Sequence, residues 1–484
     1  MKKFLCLLLV VLMVAIPLVA CADDPGDQND PNNPGNNNPA DTGDSGENQK
    51  DVLELPENVS IYKGKTVTML YDIKQDYGFY TQDFEEDSDD AYAHGIYLRN
   101  DAVEQKLGVE LEGKEINDGG AAGVKKVFDL DVSSNSNSYG LIFNSVQQMS
   151  ASVAAGNVLA YEHLPWVKLD KSWWNKDCHE QLALGGKSYM NSGDIMVSDK
   201  DVMWALYVLK DRLKEHTNFP DPFALAKEGK WTWDVMYSMA SDVAFDSNSD
   251  DQMTINSSDI FGLCTHPENY AASWQSAGLK LVSLDKQGMP SLTWGSEKFY
   301  TVFEDIKVIM GDSMVVSPTD IGWISTAITS NKTLFGTEVI AFVRKYRASD
   351  YDFGILPYPK YDESVERYNT YIAINSAVVS VGLTQPEAEL MSVVLETMAA
   401  CGQEKLIPIY YEEQLKGRYS VDEDSSDMLD IIFEYRCYDL GVFFDFGGSG
   451  NLNSTSANPQ TIWNKSQRNL NKQMDKTLSK ILGS

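Results

Sequence analysis

Hydrophobic and polar positions divide the chain into three stretches. From Phe4 to Ala20 the sequence is almost wholly apolar, behind the basic pair Lys2-Lys3 and ending in Leu18-Val19-Ala20-Cys21. A basic start, a short apolar run and small residues at its end make the pattern of a secretory signal peptide, residues 1–20. The alternative is an uncleaved transmembrane anchor, which needs about 20 apolar residues, slightly more than this run supplies. Residues 22–51 then hold Asp, Asn, Pro, Gly and Ser with hardly an apolar side chain. Such a stretch buries too little surface to offset its ordering entropy, which predicts a disordered tether over 21–55. A coil of that length has a typical end-to-end distance of about 30 Å.

The third stretch alternates between strand and helix periods. Thr66 to Leu70 reads as a strand, bounded by Gly64 and by a polar loop containing Tyr71, Asp72 and Tyr77. Ala91 to Leu107 reads as a helix with Ile96, Val103 and Leu107 on one face and Gly108 as its C-cap. Val109 to Glu112 and Tyr139 to Phe143 read as further strands, the latter leading into a polar loop at Asn144-Ser145. This alternation predicts α/β lobes with largely parallel sheets. Ligands of such sheets collect at the carboxyl ends of the strands, which singles out Asp72 and Asn144. Later, Val339 to Val343 reads as a buried strand before a polar loop around Arg344 and Arg347. Thr384-Gln385-Pro386-Glu387 has the form of a capping box ahead of a helix lined by Leu390, Val393, Val394 and Met398. Thr461 to Leu482 is a helix with Ile462, Leu470, Met474, Leu478 and Ile481 near one face and lysines on much of the other, which reads as solvated.

Composition narrows the function classes. The chain has 484 residues and a net charge of −31. The part beyond the tether suits two lobes better than one core, and the acidity argues against nucleic acid as a partner. No second apolar run is long enough to span a bilayer. Besides Cys6 and Cys21 there are Cys178, Cys264, Cys401 and Cys437, without a CxxC; they leave open one or two disulfides or buried thiols. GxSxG, HExxH and P-loop patterns are missing, and the five histidines show no ligand spacing. No cofactor is therefore expected. Asp246-Ser-Asn248-Ser-Asp250 alternates oxygens like a calcium loop. Asp251 stands where the turn needs glycine, however, and Ser257 where a bidentate carboxylate is wanted, so a solvated acidic turn and no metal are expected.

Several clusters carry a resemblance. They are Trp173-Trp174-Asn175-Lys176-Asp177; Gly185-Gly186-Lys187-Ser188-Tyr189 with Gly193-Asp194; Gly229-Lys230-Trp231-Thr232-Trp233-Asp234; Asp352 to Glu363, which includes Leu-Pro-Tyr-Pro; and Met428 to Ile432 with Tyr438 to Gly441. Their order and spacing resemble the bacterial extracellular solute-binding proteins of carbohydrate ABC importers over nearly the whole globular part. Leu-Val-Ala-Cys similarly resembles a lipobox, which makes Cys21 the lipidated N-terminus of a protein anchored on the outer face of the cell membrane. The resemblance implies a two-lobed periplasmic-binding-protein-like α/β fold with the ligand in the cleft between lobes. Lobe one would comprise 56–192 and 373–405, and lobe two 193–372 and 406–484. It implies a monomer that captures a carbohydrate, an oligosaccharide in particular, and delivers it to a membrane permease.

Sugar sites need aromatic platforms and charged or amide hydrogen-bonding groups. By analogy with that family Trp274, Trp323 and Trp463 are candidate platforms, and Asp72, Asn144, Ser145, Asp201, Arg344 and Tyr371 candidate polar contacts, whereas Trp231 and Trp233 are scaffold. Three rivals stay open: a lipid-anchored glycoside hydrolase, a peptide binder on the same fold, and an interaction protein with a degraded cleft. Because tether and globular part show no other apolar anchor, Cys21→Ser is expected to release the protein from membranes; detergent-phase partitioning unchanged from the parent would count against lipidation.

Overall fold

The computed structural model describes residues 51–72, 81–86, 88, 90–266, 269–318, 320, 322–346, 349–412, 423–454 and 456–483. Cys21, the signal segment, nearly all of the tether, Tyr77 and Arg347 lie outside the described residues. Among those described, no helix is long and apolar enough to cross a membrane.

Two sheets organise the body. The first has the order β9-β3-β1-β2, built from β1 (Thr66–Asp72), β2 (Glu110–Ile116), β3 (Leu141–Ser145) and, from far later in the chain, β9 (Ala377–Ser380). The second has the order β8-β4-β7-β5-β6, from β4 (Trp204–Leu209), β5 (Phe261–Cys264), β6 (Val315–Val316), β7 (Thr333–Val339) and β8 (Phe353–Leu356). The first is largely parallel, as expected, with two of its three pairings parallel, and the second is mixed, with two of four. β9 runs antiparallel to β3, and β4 antiparallel to both β7 and β8.

The reason lies in how the chain passes between the sheets. β4 begins opposite the end of β7, with Trp204 paired to Val339, and β9 begins opposite the end of β3, with Ala377 paired to Ser145. Each strand is delivered at the carboxyl edge of its sheet and has to run back. The two delivering segments lie side by side: Met203 bridges Ile372, and Ala373 N donates to Val202 O at 3.2 Å. The carboxyl edges of both sheets are thereby joined at one hinge.

Local sequence accounts for most of the helices. α1 (Ala91–Leu107) starts where Asp90 accepts Ala93 N at 2.9 Å and stops at Gly108, whose φ of 70° only glycine adopts freely. α2 (Gly120–Ser134) and α3 (Val146–Ala154) begin at the carboxyl ends of β2 and β3. α4 (Ser198–Asp201) occupies the first crossover, α5 (Tyr270–Ser276) follows β5, and α6 (Gly322–Thr329) precedes β7. α7 (Ala388–Ile409) and α8 (Pro459–Leu482) are the longest helices described, and α8 starts on an Asn458 cap.

Three local expectations change. The buried strand is Thr333–Val339; Ile340 to Phe342 instead turn as a short 3₁₀ segment, because Ile340 N bonds Met203 O at the hinge. Thr384 gives its hydroxyl to Asn137 Oδ1 at 2.8 Å, and Glu387, ion-paired to Lys65, becomes the N-cap of α7. Gln385 precedes a proline and is thereby turned away from helix. Asn144 and Ser145 are not loop but the last two residues of β3. The four described cysteines are buried free thiols, and burial pushes Cys178, Cys264 and Cys437 up to about 12.

Trp173 and Trp174 belong to the scaffold. Their indole N–H groups donate to the two carboxylate oxygens of Glu396 on α7 at 3.1 and 2.8 Å, and Lys168 N adds a third bond at 3.0 Å. Burial nevertheless pushes the Glu396 carboxyl up from 4.5 to about 7. An acid raised in the fold keeps a proton that the unfolded chain has already released. Between those two values its contribution therefore makes the fold less stable as pH rises, by at most about 1.4 kcal/mol per unit. Glu396→Gln removes the titration. From about pH 5 to 7.5 the melting temperature of the parent is expected to fall more steeply than that of the variant; parallel slopes would show that the carboxyl does not titrate there.

Candidate functional site

The joined carboxyl edges are where the candidate polar residues gather. On the first sheet Asp72 ends β1, buried, beside the first turn of α2; a Cβ on Gly120 would stand 3.4 Å from its Oδ2. Asn144 Nδ2 donates to Ala121 O at 3.0 Å while its Oδ1 accepts Ser145 N at 2.8 Å, and Ser145 Oγ accepts Gln148 N as the cap of α3. Asn144 and Ser145 thus brace the starts of two helices. Close by, the buried hydroxyl of Ser376 has no partner among the described residues.

At the hinge, Asp201 and Arg344 are brought together. Asp201 is 0% exposed and grips the guanidinium through both oxygens, at 2.6 and 2.9 Å, while Tyr410 donates to its Oδ1 at 3.1 Å. Burial acts to lower the Arg344 pKa, but the Asp201 charge outweighs it and holds the guanidinium above its ordinary value. Tyr371 is also buried, in a two-residue strand, Thr370–Tyr371, paired with Arg436–Cys437. In this structure these side chains hold the crossover together.

The tryptophans separate sharply. Trp274 is 1% exposed and packs on Phe299, 5.8 Å between ring centres, so it is core and presents no open face. Ser273-Trp274-Gln275 has the polar character of a loop, yet Tyr270 to Ser276 form α5, buried at every position. Trp323 meets Phe261 edge to face at 5.6 Å. Phe261 opens β5, which puts this ring beside the amino end of the strand rather than the carboxyl edge. Trp463 is half-buried, edge to face with Trp294 at 5.0 Å, over Gly295, where a Cβ would clash with the ring at 2.2 Å. Trp294 and Trp274 both pack on Phe299, so Trp463 is the half-open end of one aromatic layer. Trp231 and Trp233 are buried with their N–H groups bonded to Pro357 O and Ser276 Oγ, as scaffold should be.

A second wall, not foreseen from the sequence, stands at the carboxyl edge of the second sheet. Trp204 opens β4 at 5% exposure, tilted 5.4 Å from the ring of His266, and its Nε1 has no partner among the described residues. Gln275 on α5 is 0% exposed, with neither Nε2 nor Oε1 partnered. Asn269 donates to Thr265 Oγ1 at 2.9 Å, but its Oδ1 is also unpartnered. Continuing the register of Leu356 with Leu206 sets Tyr358, buried, opposite Trp204. Each buried polar group without a partner costs about 1–3 kcal/mol, and such atoms continue along α5 into its aromatic backing, at Tyr270 Oη and at Nε1 of Trp274 and Trp294. The available signal was Trp204 itself, the third residue of the apolar run that follows Asp199-Lys200-Asp201.

The charges at the crossover are paired with one another, while Glu338, opposite Ala205 and buried, has its carboxyl pushed up to about 8 by burial. Asp201 is paired with Arg344, and Lys200 lies 3.0 Å from Asp194 and 3.3 Å from Asp199. Among the described residues no group of three His, Cys, Asp or Glu could hold a metal ion. In the acidic turn Asp246 accepts the backbone N–H groups of Asn248, Ser249 and Asp251. Aromatic rings with uncharged donors and acceptors suit a neutral polyhydroxyl ligand.

No family model matches the sequence, and no curated protein does. Solved structures do. An ABC substrate-binding protein of Listeria monocytogenes, in complex with cycloalternan, aligns with a TM-score of 0.54 and 10% identity over 85% of this chain and 100% of its own. The GacH receptor of Streptomyces glaucescens, solved unliganded and with acarbose, aligns at 0.53 and 13% over 85% and 99%. UspC of M. tuberculosis aligns at 0.54 and 12% over 84% and 100%. At such identities the likeness establishes the fold: two α/β lobes of the periplasmic-binding-protein type.

The Asp201–Arg344 pair yields a stability test. Arg344→Met would leave Asp201 charged, buried and short of its counter-ion, at an expected cost of about 3–5 kcal/mol in urea denaturation. Asp201→Leu combined with Arg344→Met should cost clearly less. A double-variant loss equal to the sum of the separate Arg344→Met and Asp201→Leu losses would show that the pair is not coupled.

Proposed function

We propose that this chain is the extracellular, lipid-anchored capture component of an ABC importer, and that its ligand is a carbohydrate, an oligosaccharide, enclosed when the lobes close. One observation carries the reading. Trp204, Gln275 and Asn269, all buried, hold an aromatic ring and uncharged donors and acceptors that lack partners among the described residues, on and after the strand ends of the second sheet. Sugar hydroxyls are both donors and acceptors and complete such a wall, and the apolar face of a pyranose suits the ring. Fold neighbours solved with cycloalternan and with acarbose support the same ligand class. In this reading Cys21 carries the lipid, a membrane permease is the partner, the protein acts as a monomer, and no bond is broken. The charges at the crossover, paired with one another, hold the hinge rather than meeting the ends of a peptide.

A thermal-shift screen against linear and cyclic glucose oligosaccharides tests the ligand class, since a ligand at 100 times its Kd stabilises by about 2.7 kcal/mol. With the best ligand, Trp204→Phe keeps a ring but loses the N–H and should weaken binding about five- to tenfold. Gln275→Leu should weaken binding while leaving the melting temperature equal or higher, because it removes buried groups that the protein leaves unpaired. Trp274→Ala should instead cost about 3–5 kcal/mol of stability. A Gln275→Leu protein that binds like the parent would remove that residue from the site. Sustained release of reducing ends by purified protein would overturn the non-enzymatic reading.

A further inference from the structure

The helix α8 carries a charge opposite to that of the chain. Lys465, Arg468, Lys472, Lys476 and Lys480 are all exposed, and the acid Asp475 is alone among them. At about 100° per residue the five cations fall within a sector of about 120°, and from first to last they span about 22 Å. The opposite face is fixed to the body through Leu470, Met474, Thr477 and Leu478, all buried, so the row faces outward, with the stem of Lys480 alone lying over Gly156. None of the five forms an ion pair among the described residues, although the chain holds 71 acidic side chains. Asn464, Asn469, Asn471, Gln473 and Ser479 lie exposed among them, so the row offers no exposed apolar anchor.

We infer that this row is a docking face for an anionic lipid surface, which orients the tethered body on its own membrane. A straight row of cations without an apolar anchor lacks the buried hot spot of a protein–protein interface, and it matches a plane of phosphate groups. The chain's net charge of −31 makes the contact directional. The rest of the body is repelled from such a surface while α8 is drawn to it, and an anchor about 30 residues before the body keeps it within reach. The contact is electrostatic only, so salt should abolish it. The inference rests on the N-terminal anchor and is independent of the ligand.

The test uses the full chain, held through its own N-terminus in vesicles, with a donor dye on Asn469→Cys and acceptor dyes on lipid headgroups. Energy transfer should be several-fold higher in vesicles with about 30% phosphatidylglycerol than in pure phosphatidylcholine, and should fall to the phosphatidylcholine level in about 0.5 M salt. Replacing all five cations by glutamine should remove the difference while leaving the melting temperature unchanged. Transfer that is the same in both lipids, or that survives the five replacements, overturns the inference. Transfer that responds to salt but not to lipid charge would also overturn it, and would identify the acidic tether (Asp23, Asp24, Asp27, Asp30) as the occupant of the row.

Discussion

Four consecutive polar residues, Ser198 to Asp201, are buried at the first crossover, and each is tied to a different part of the molecule. Ser198 Oγ accepts the N–H of Ala377 at 2.7 Å, the residue that opens β9. Asp199 accepts from Asn175 at 2.8 Å and lies 3.6 Å from Arg436, Lys200 reaches Asp194, and Asp201 holds Arg344 and Tyr410. A buried charge is tolerable only when paired and hydrogen-bonded. This segment therefore has one place where all four demands are met, and that place sets the sheets relative to the crossover.

The position of the site follows from that constraint. A chain pinned there enters the second sheet only at its carboxyl edge, which makes β4 antiparallel and puts Trp204 at its head. The returning segment enters the first sheet in the same way, so Ser376 and Ala377 come to rest against Ser145. Loops and helix starts that end separate parallel strands, at Asp72, Asn144 and Asn269, thereby come to border one hinge. The aromatic layer of Phe299, Trp274, Trp294 and Trp463 backs the second wall without forming it.

How legible this was in the sequence depended on range. α1 was readable to the residue, because Asp90 and Gly108 are local signals acting within one turn. The fold type was readable because strand and helix periods are local too. Tryptophan roles were not. Trp274 sits among polar residues that hint at a loop, yet a buried helix forms there because Ser273 and Ser276 satisfy their hydroxyls on backbone carbonyls of the same turn. The antiparallel course of β4 depends on residue 339 meeting residue 204, a pairing that no local pattern announces. The unpartnered atoms of Gln275 and Trp204 are defined by what fails to approach them, which only three-dimensional packing reveals.

The four thiols carry one further consequence. Proteins that fold in an oxidising compartment are often cross-linked there by disulfides. Here Cys178, Cys264, Cys401 and Cys437 are buried and free, with their thiolate forms suppressed by burial. The described fold accordingly holds together with these four thiols reduced. Buried thiols with suppressed thiolates react slowly with oxidants and with disulfides, so the described fold tolerates a reducing and an oxidising medium alike.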